Sequence, residues 1–270
     1  MRGRPLRGAL RAEAVFFDID NTLYDFEGSV RKTLGRLARE FPGALSRYAI
    51  PDLEVRYWNA NASIPQEVRL GLIRADLIAY RRATWLRFFE QERLPRDETL
   101  AGKLAVAWGR ERHAEIRSSM FPGARATIEA LQRRFVVGII SNGPSPIQRD
   151  KLLAMELASA FEDDLVLISG EFGADKPDPS IFEAAAKRAA VDPRACVMVG
   201  DSLENDMPAK RIGYTTVHFT GATLAGPAAA AAHQVWNPRP GPSPSNLSGG
   251  ETWKPDHVAA DYGTLAKLLR

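Results

Sequence analysis

The distribution of apolar and polar positions divides the chain into three textures. Ala14, Val15, Phe16 and Phe17 form an unbroken apolar run, the pattern of a strand covered on both faces of a parallel sheet. A first strand is therefore predicted over Glu13–Asp18. From Asp25 to about Met120 the period becomes helical. One helix carries Val30, Leu34, Leu37 and Phe41 on a single face, with Ser29 as its expected cap. A longer one is predicted from Glu67 to Glu90, with Val68, Leu72, Leu86 and Phe89 on one apolar face and Ile73, Leu77 and Tyr80 on another. A third carries Leu100, Leu104 and Trp108. These aromatics and leucines read as the core of a helical bundle.

Phe121-Pro122-Gly123 marks a return to alternating helix and strand signals. Strands are predicted over 135–140, 165–169, 196–200 and 215–219, with an edge strand over 255–258. Helices are predicted over 127–134, from Ser145-Pro146 onward with Ser145 as cap, and over 180–190, 205–212 and 262–269. Such alternation implies parallel βαβ units. The fold class is α/β: a doubly wound, Rossmann-like parallel sheet with an inserted α-helical domain. The core is expected over residues 14–24 and 121–270, the helical insert over 25–120 and a flexible tail over 1–13. An irregular loop rich in Ala, Pro and Gly is expected over 222–252.

Composition narrows the function. Hydrophobic content of 45% and charged content of 26% in 270 residues are ordinary globular values, and no apolar run approaches the length of a membrane span. The lone cysteine, Cys196, allows no internal disulfide and suits a reducing, cytoplasmic setting. Its neighbours Ala195, Val197, Met198 and Val199 make it a packed core thiol. A pI near 9.1 invites a nucleic-acid reading until the charges are located. Residues 1–14 carry Arg2, Arg4, Arg7 and Arg11 against Glu13, which accounts for the whole net charge of +3. Neither nucleic acid nor membrane is an expected partner; a monomer or homodimer is.

The candidate chemistry lies at strand ends. Asp18, Asp20 and Thr22 follow the first strand, Ser141, Asn142 and Gly143 the second, and Lys176 the third; Asp201, Asn205 and Asp206 follow the strand over 196–200. Each cluster alone reads as a turn or a helix cap. In open α/β sheets, however, ligands bind at the carboxyl ends of strands, and carboxylates closing a buried run need a partner or a metal. Together the clusters form one site with acids, a fixed cation and a phosphate-sized set of donors.

In these motifs the chain resembles the haloacid dehalogenase superfamily of phosphohydrolases. Asp18-Ile19-Asp20-Asn21-Thr22 looks like its first motif, Ser141-Asn142 its second, Lys176 its third, and Gly200-Asp201-Ser202-Leu203-Glu204-Asn205-Asp206 its fourth. The helical insert is similar to the family's C1-type cap. The resemblance implies that Asp18 attacks phosphorus to form an aspartyl-phosphate, splitting hydrolysis into two easier steps. It implies that Asp20 protonates the leaving oxygen and then takes a proton from water. Thr22, Ser141, Asn142, Gly143 and Lys176 would hold the phosphoryl oxygens. A hard cation, Mg²⁺, would neutralise the charge, held by Asp18, the Asp20 carbonyl and Asp201, with Asp206 behind them orienting waters or Lys176.

Asp20 also separates subclasses. An alkoxide leaving group needs a proton and a halide does not, so Asp20 favours a small phosphate monoester over a carbon–halogen bond. The wording around Asp18, with Ser141-Asn142-Gly143-Pro144, is similar to pyrimidine 5′-nucleotidases and to relatives that cleave sugar phosphates. A dehalogenase-type hydrolase, a phosphomutase and a non-catalytic binding protein on the same fold are the alternatives. Residues 25–121 hold 17 basic and 13 acidic side chains, a balance that suits an anionic substrate. Arg69, Arg74, Arg81, Arg82 and Arg87 read equally well as a solvated helix face. His113 and His218 lack metal-ligand spacing.

Overall fold

Residues 12–221 and 253–270 are described by the computed structural model; the loop over 222–252 and tail residues 1–11 lie outside them. The strands are β1 (Ala14–Phe17), β2 (Val136–Ser141), β3 (Val166–Ile168), β4 (Cys196–Gly200), β5 (Thr215–Phe219) and β6 (His257–Ala259). All neighbours pair in parallel, in the order β3-β2-β1-β4-β5-β6. The chain winds outward from β1 first to one side and then to the other, which opens a crevice at the carboxyl end of β1. The doubly wound sheet predicted from the alternation is present, with β6 at its edge.

The helices between β1 and β2 are α1 (Phe26–Glu40), α2 (Pro42–Leu45), α3 (Ile50–Ala62), α4 (Gln66–Ala75), α5 (Leu77–Gln91) and α6 (Glu98–Ser118). Those of the sheet layers are α7 (Ala124–Leu131), α8 (Ser145–Ala154), α9 (Ser169–Phe172), α10 (Pro179–Arg188) and α11 (Tyr262–Leu268). Side chains of β1 alternate between two apolar layers. Val15 and Phe17 join Ile128 of α7, Leu152 of α8 and Leu265 of α11, whereas Ala14 and Phe16 join Ile181, Phe182 and Ala185 of α10. Cys196 belongs to the second layer. Burial pushes its thiol up to about 11, which leaves it inert as a nucleophile. No helix among the described residues is long and apolar enough to cross a membrane.

The inserted helices share an aromatic core. Tyr57 stacks on Trp108 with centroids 4.2 Å apart, and Trp85 and Phe88 close around them. The insert leaves and rejoins the core at one point: Phe121 donates its N–H to the Leu23 carbonyl and Asp25 to the Ser119 carbonyl, both at 3.0 Å.

Several local expectations are corrected. Asp25, not Ser29, caps α1 by accepting from the Gly28 N–H at 2.8 Å; the Ser29 hydroxyl is inside the helix and donates to the Phe26 carbonyl. The helix predicted over Glu67–Glu90 is two helices. Asp76 is extended between them, and its carboxylate accepts from the Ile78 and Ala79 N–H groups to start α5. Val68, expected in the bundle, is exposed. Helices α2, α3 and α9 were not anticipated. Ser145 makes no capping bond to α8, and the predicted 205–212 helix is a 3-10 segment over Met207–Ile212.

Candidate active site

Two adjacent strands and one loop bring three of the expected charges together. Asp18 follows β1 and is held to β4 by its N–H bond to the Val199 carbonyl, at 2.9 Å. Lys176 reaches Asp18 Oδ1 at 2.8 Å and Asp206 Oδ1 at 2.6 Å, with all three side chains buried. The other Asp206 oxygen accepts from the Ser202 N–H at 3.0 Å. Gly200 permits this: a Cβ there would overlap the Asp206 carboxylate. Burial alone would push the Lys176 ammonium down, but Asp18 and then Asp206 hold it above its ordinary value. The lysine is a permanent cation.

Asp201 completes an acidic cluster. Carboxylate oxygens of Asp18, Asp201 and Asp206 lie within 4.8 Å of one another. Asp201 Oδ1 is buried and has no partner among the described residues. Burial, then the charges of Asp18 and Asp206, raise the Asp201 carboxyl well above the usual range. Burial also raises Asp206, to about 6, against the pull of Lys176. Three hard oxygen donors with too little positive charge among them fit a divalent cation such as Mg²⁺.

Asp20 lies apart from this cluster and has its own cation. Lys151, on α8, donates to both of its carboxylate oxygens, at 2.8 and 2.6 Å, and Tyr24 donates its hydroxyl to Oδ1 at 2.8 Å. Lys151 was missed in the sequence. A lysine within a helix, preceded by Arg149 and Asp150, reads as part of an ordinary charged face and carries no local signal of a partner 131 residues away. The backbone turns sharply just after the second acid, at Asn21, φ 55°, whose side chain ties the turn to Glu27 and to the Phe26 N–H.

The expected phosphate-binding residues are placed differently from one another. Thr22 is fully buried with its hydroxyl unpartnered among the described residues, while its carbonyl accepts from the Tyr262 hydroxyl. Ser141 is buried at the end of β2, two residues beyond the Phe17–Ile139 pair. The Asn142 side chain clamps the Lys176 backbone, accepting from its N–H at 2.7 Å and donating to its carbonyl at 2.9 Å. Gly143, expected as a phosphate donor, has its N–H taken by Ser169 Oγ at 2.9 Å and adopts φ 133°, which favours glycine.

A cavity separates the helical insert from α8, with Lys151 in its lining. Across it, Asp150 of α8 accepts from Arg81 at 3.0 Å and bonds His113 Nε2 at 2.7 Å. Burial works to raise the Asp150 carboxyl, but His113 and Arg81 hold it below the usual range. The arginine row of the insert therefore splits. Arg74 and Arg82 are exposed, Arg87 pairs with Glu90, Arg69 is buried against Asn61, and Arg81 faces the core. His218 bonds the Asp201 carbonyl.

A family model described as haloacid dehalogenase-like hydrolase matches residues 12–212. Phosphoserine phosphatase of Thermus thermophilus is 40% identical over 113 residues, 42% of this chain and 43% of that protein, so the chain aligns with less than half of that relative. Glyceraldehyde 3-phosphate phosphatase of Pyrococcus furiosus is 32% identical over 77% of this chain and 81% of its own. A pyrimidine 5′-nucleotidase of Escherichia coli is 31% identical over 72% and 79%. Among solved structures, a Bacillus subtilis HAD-hydrolase bound to magnesium is similar with a TM-score of 0.59 at 18% identity, covering 96% of this chain and 99% of that one. A 2-haloacid dehalogenase of Pseudomonas syringae is similar with a TM-score of 0.55 at 21% identity, over 96% and 98%. At these identities the structural likeness is one of fold.

Proposed function

The chain belongs to the haloacid dehalogenase-like hydrolases, and on that footing we propose that it is a Mg²⁺-dependent phosphomonoesterase. Its substrate is a small phosphorylated metabolite of the nucleoside monophosphate or sugar phosphate kind, and it works through an aspartyl-phosphate on Asp18. The observation that carries this reading is the division of labour between two buried carboxylates two residues apart. Asp18 is paired with Lys176, and Asp20 with Lys151 and Tyr24.

Each residue has a task that its surroundings suit. Asp18, paired with Lys176, attacks phosphorus, and the leaving oxygen departs with a proton from Asp20. Asp20 then takes a proton from the water that hydrolyses the intermediate. Lys176 is a fixed donor for a transferring phosphoryl oxygen, and the Asn142 clamp sets its position. The buried hydroxyls of Thr22 and Ser141 are candidates for the remaining oxygens. Asp18, the Asp20 carbonyl and Asp201 would hold Mg²⁺, with Asp206 tying the set to Lys176; the unpartnered Asp201 oxygen supports this. The metal would supply charge neutralisation for the phosphoryl group. The helical insert serves as a cap, tied to the core through Arg81, His113 and Asp150. The lone, buried Cys196 is consistent with a cytoplasmic setting.

Hydrolysis of p-nitrophenyl phosphate with and without Mg²⁺ tests the proposal. Activity is expected to need the metal, to vanish with chelator and to fall at least about 1,000-fold in Asp18→Asn. Asp20→Asn is expected to lose more on alkyl phosphates than on the nitrophenyl ester, whose leaving group departs without help. Full activity in Asp18→Asn would remove the nucleophile. Halide release from 2-haloacids without metal would instead favour a dehalogenase.

A further inference from the structure

The cavity beneath the helical insert contains a charge that the chain leaves unbalanced. Arg112 of α6 lines it, together with Phe26, Tyr57, Trp108 and Lys151. The residue is 6% exposed. Its guanidinium donates to Ser29 Oγ at 2.7 Å and lies over the Phe26 ring, 5.7 Å from its centroid. No carboxylate among the described residues forms an ion pair with it. The neighbouring acids are engaged elsewhere: Asp150 by Arg81 and His113, Glu115 by Arg36, Glu54 by Arg31 and Asp20 by Lys151. A guanidinium carries several N–H donors, and a buried charge that is neither paired nor fully hydrogen-bonded is expensive. A bound anion would complete it.

Position and size say which anion. Lys151 lines the cavity and also grips Asp20, so on the phosphatase reading the cavity lies on the side of the leaving alcohol. Its volume is about 50 Å³, room for about four water-sized groups. A carboxylate with one or two further atoms fits that space. The planar guanidinium fork matches a carboxylate.

We propose that Arg112 is the specificity-determining residue of the site and receives a carboxylate on the alcohol portion of the ester, so that the substrate class is a short phosphorylated hydroxy acid. The proposal rests on the phosphatase reading and puts a short phosphorylated acid in place of the nucleotide or sugar ester.

Matched esters test it: 2-phosphoglycolate against ethyl phosphate, and 3-phosphoglycerate against glycerol 3-phosphate, with uridine monophosphate and p-nitrophenyl phosphate as controls. Wild type is expected to favour the acid of each pair by about 10- to 100-fold in kcat/KM, the range that charge-assisted hydrogen bonds supply. In Arg112→Gln that ratio is expected to collapse towards one, chiefly through KM of the acids, and Arg112→Lys is expected to keep part of it. A wild-type ratio near one overturns the proposal without any variant. So does a ratio that survives Arg112→Gln, or a preference for the nucleotide. Turnover of p-nitrophenyl phosphate without acid preference overturns the role of Arg112 alone; no turnover of any ester overturns the phosphatase reading with it.

Discussion

Lys151 holds both carboxylate oxygens of Asp20, at 2.8 and 2.6 Å, across a sequence separation of 131 residues. Both side chains are buried, and the ammonium also lies 5.1 Å from the centroid of the Phe26 ring. Burial pushes the Lys151 ammonium down, and Asp20 opposes that shift. Burial outweighs the attraction, and the pair matters most for what is left when half of it is removed.

Lys151→Met strands a buried carboxylate. The unfolding free energy is expected to fall by about 3 kcal/mol, measured by urea denaturation. On the proposed mechanism kcat falls at least about 10-fold, with KM less affected, because Asp20 loses its orientation. Adding Asp20→Asn removes the stranded charge, so the double variant is expected to be more stable than the two single losses summed would predict. A Lys151→Met protein as stable as wild type would show that the pair contributes nothing.

The acidic cluster links metal binding to pH. Asp201 and Asp206 are raised in the folded protein, first by burial, and Asp206 lies at about 6; in an unfolded chain such carboxyls titrate near about 4. Without metal, the folded form therefore holds these protons more tightly. Stability from this source is complete below about pH 4 and is lost as pH rises through about 6. Mg²⁺ must displace the same protons. Thermal melts are expected to show a larger stabilisation by Mg²⁺ at about pH 7.5 than at about pH 5. Asp201→Asn should reduce that shift sharply. An equal shift at both pH values would contradict the assignment.

The break between α4 and α5 makes a prediction independent of catalysis. Asp76 caps α5 with two backbone bonds, so Asp76→Ala is expected to destabilise the protein by about 1 kcal/mol. Asp76→Asn or Asp76→Ser, which can still accept those bonds, is expected to recover most of the loss in the same melts. An undiminished Asp76→Ala protein would mean that packing alone starts the helix.

What could be read in advance followed the range of each interaction. The sheet was legible because its strands are short apolar runs, and Thr215–Phe219 and Cys196–Gly200 match their predicted bounds. Asp18, Lys176 and Asp206 were legible as a group because each stands in a local motif at a strand end. Lys151 was not, since only the seating of α8 on β1 decides what it meets. The split at Asp76 was hidden because Ile73, Leu77 and Tyr80 keep helical spacing across it. Asn142 was foreseen at the site, but its two bonds to the Lys176 backbone appear only once the two loops are folded together.

The narrow neck at which Leu23 meets Phe121 and Asp25 meets Ser119 has a bearing on how such a protein can change. Both ends of the insert are fastened within one hydrogen bond of each other, so β1 and β2 experience much the same boundary whatever is threaded between them. Chain-closure entropy grows only logarithmically with the length of the excursion. The insert is in effect a graft on a fixed stem. Exchanging it would redraw the wall that holds Arg112 and Arg81 while leaving Asp18, Lys176 and Asp206 in register, so substrate range and bond-breaking chemistry can be inherited separately.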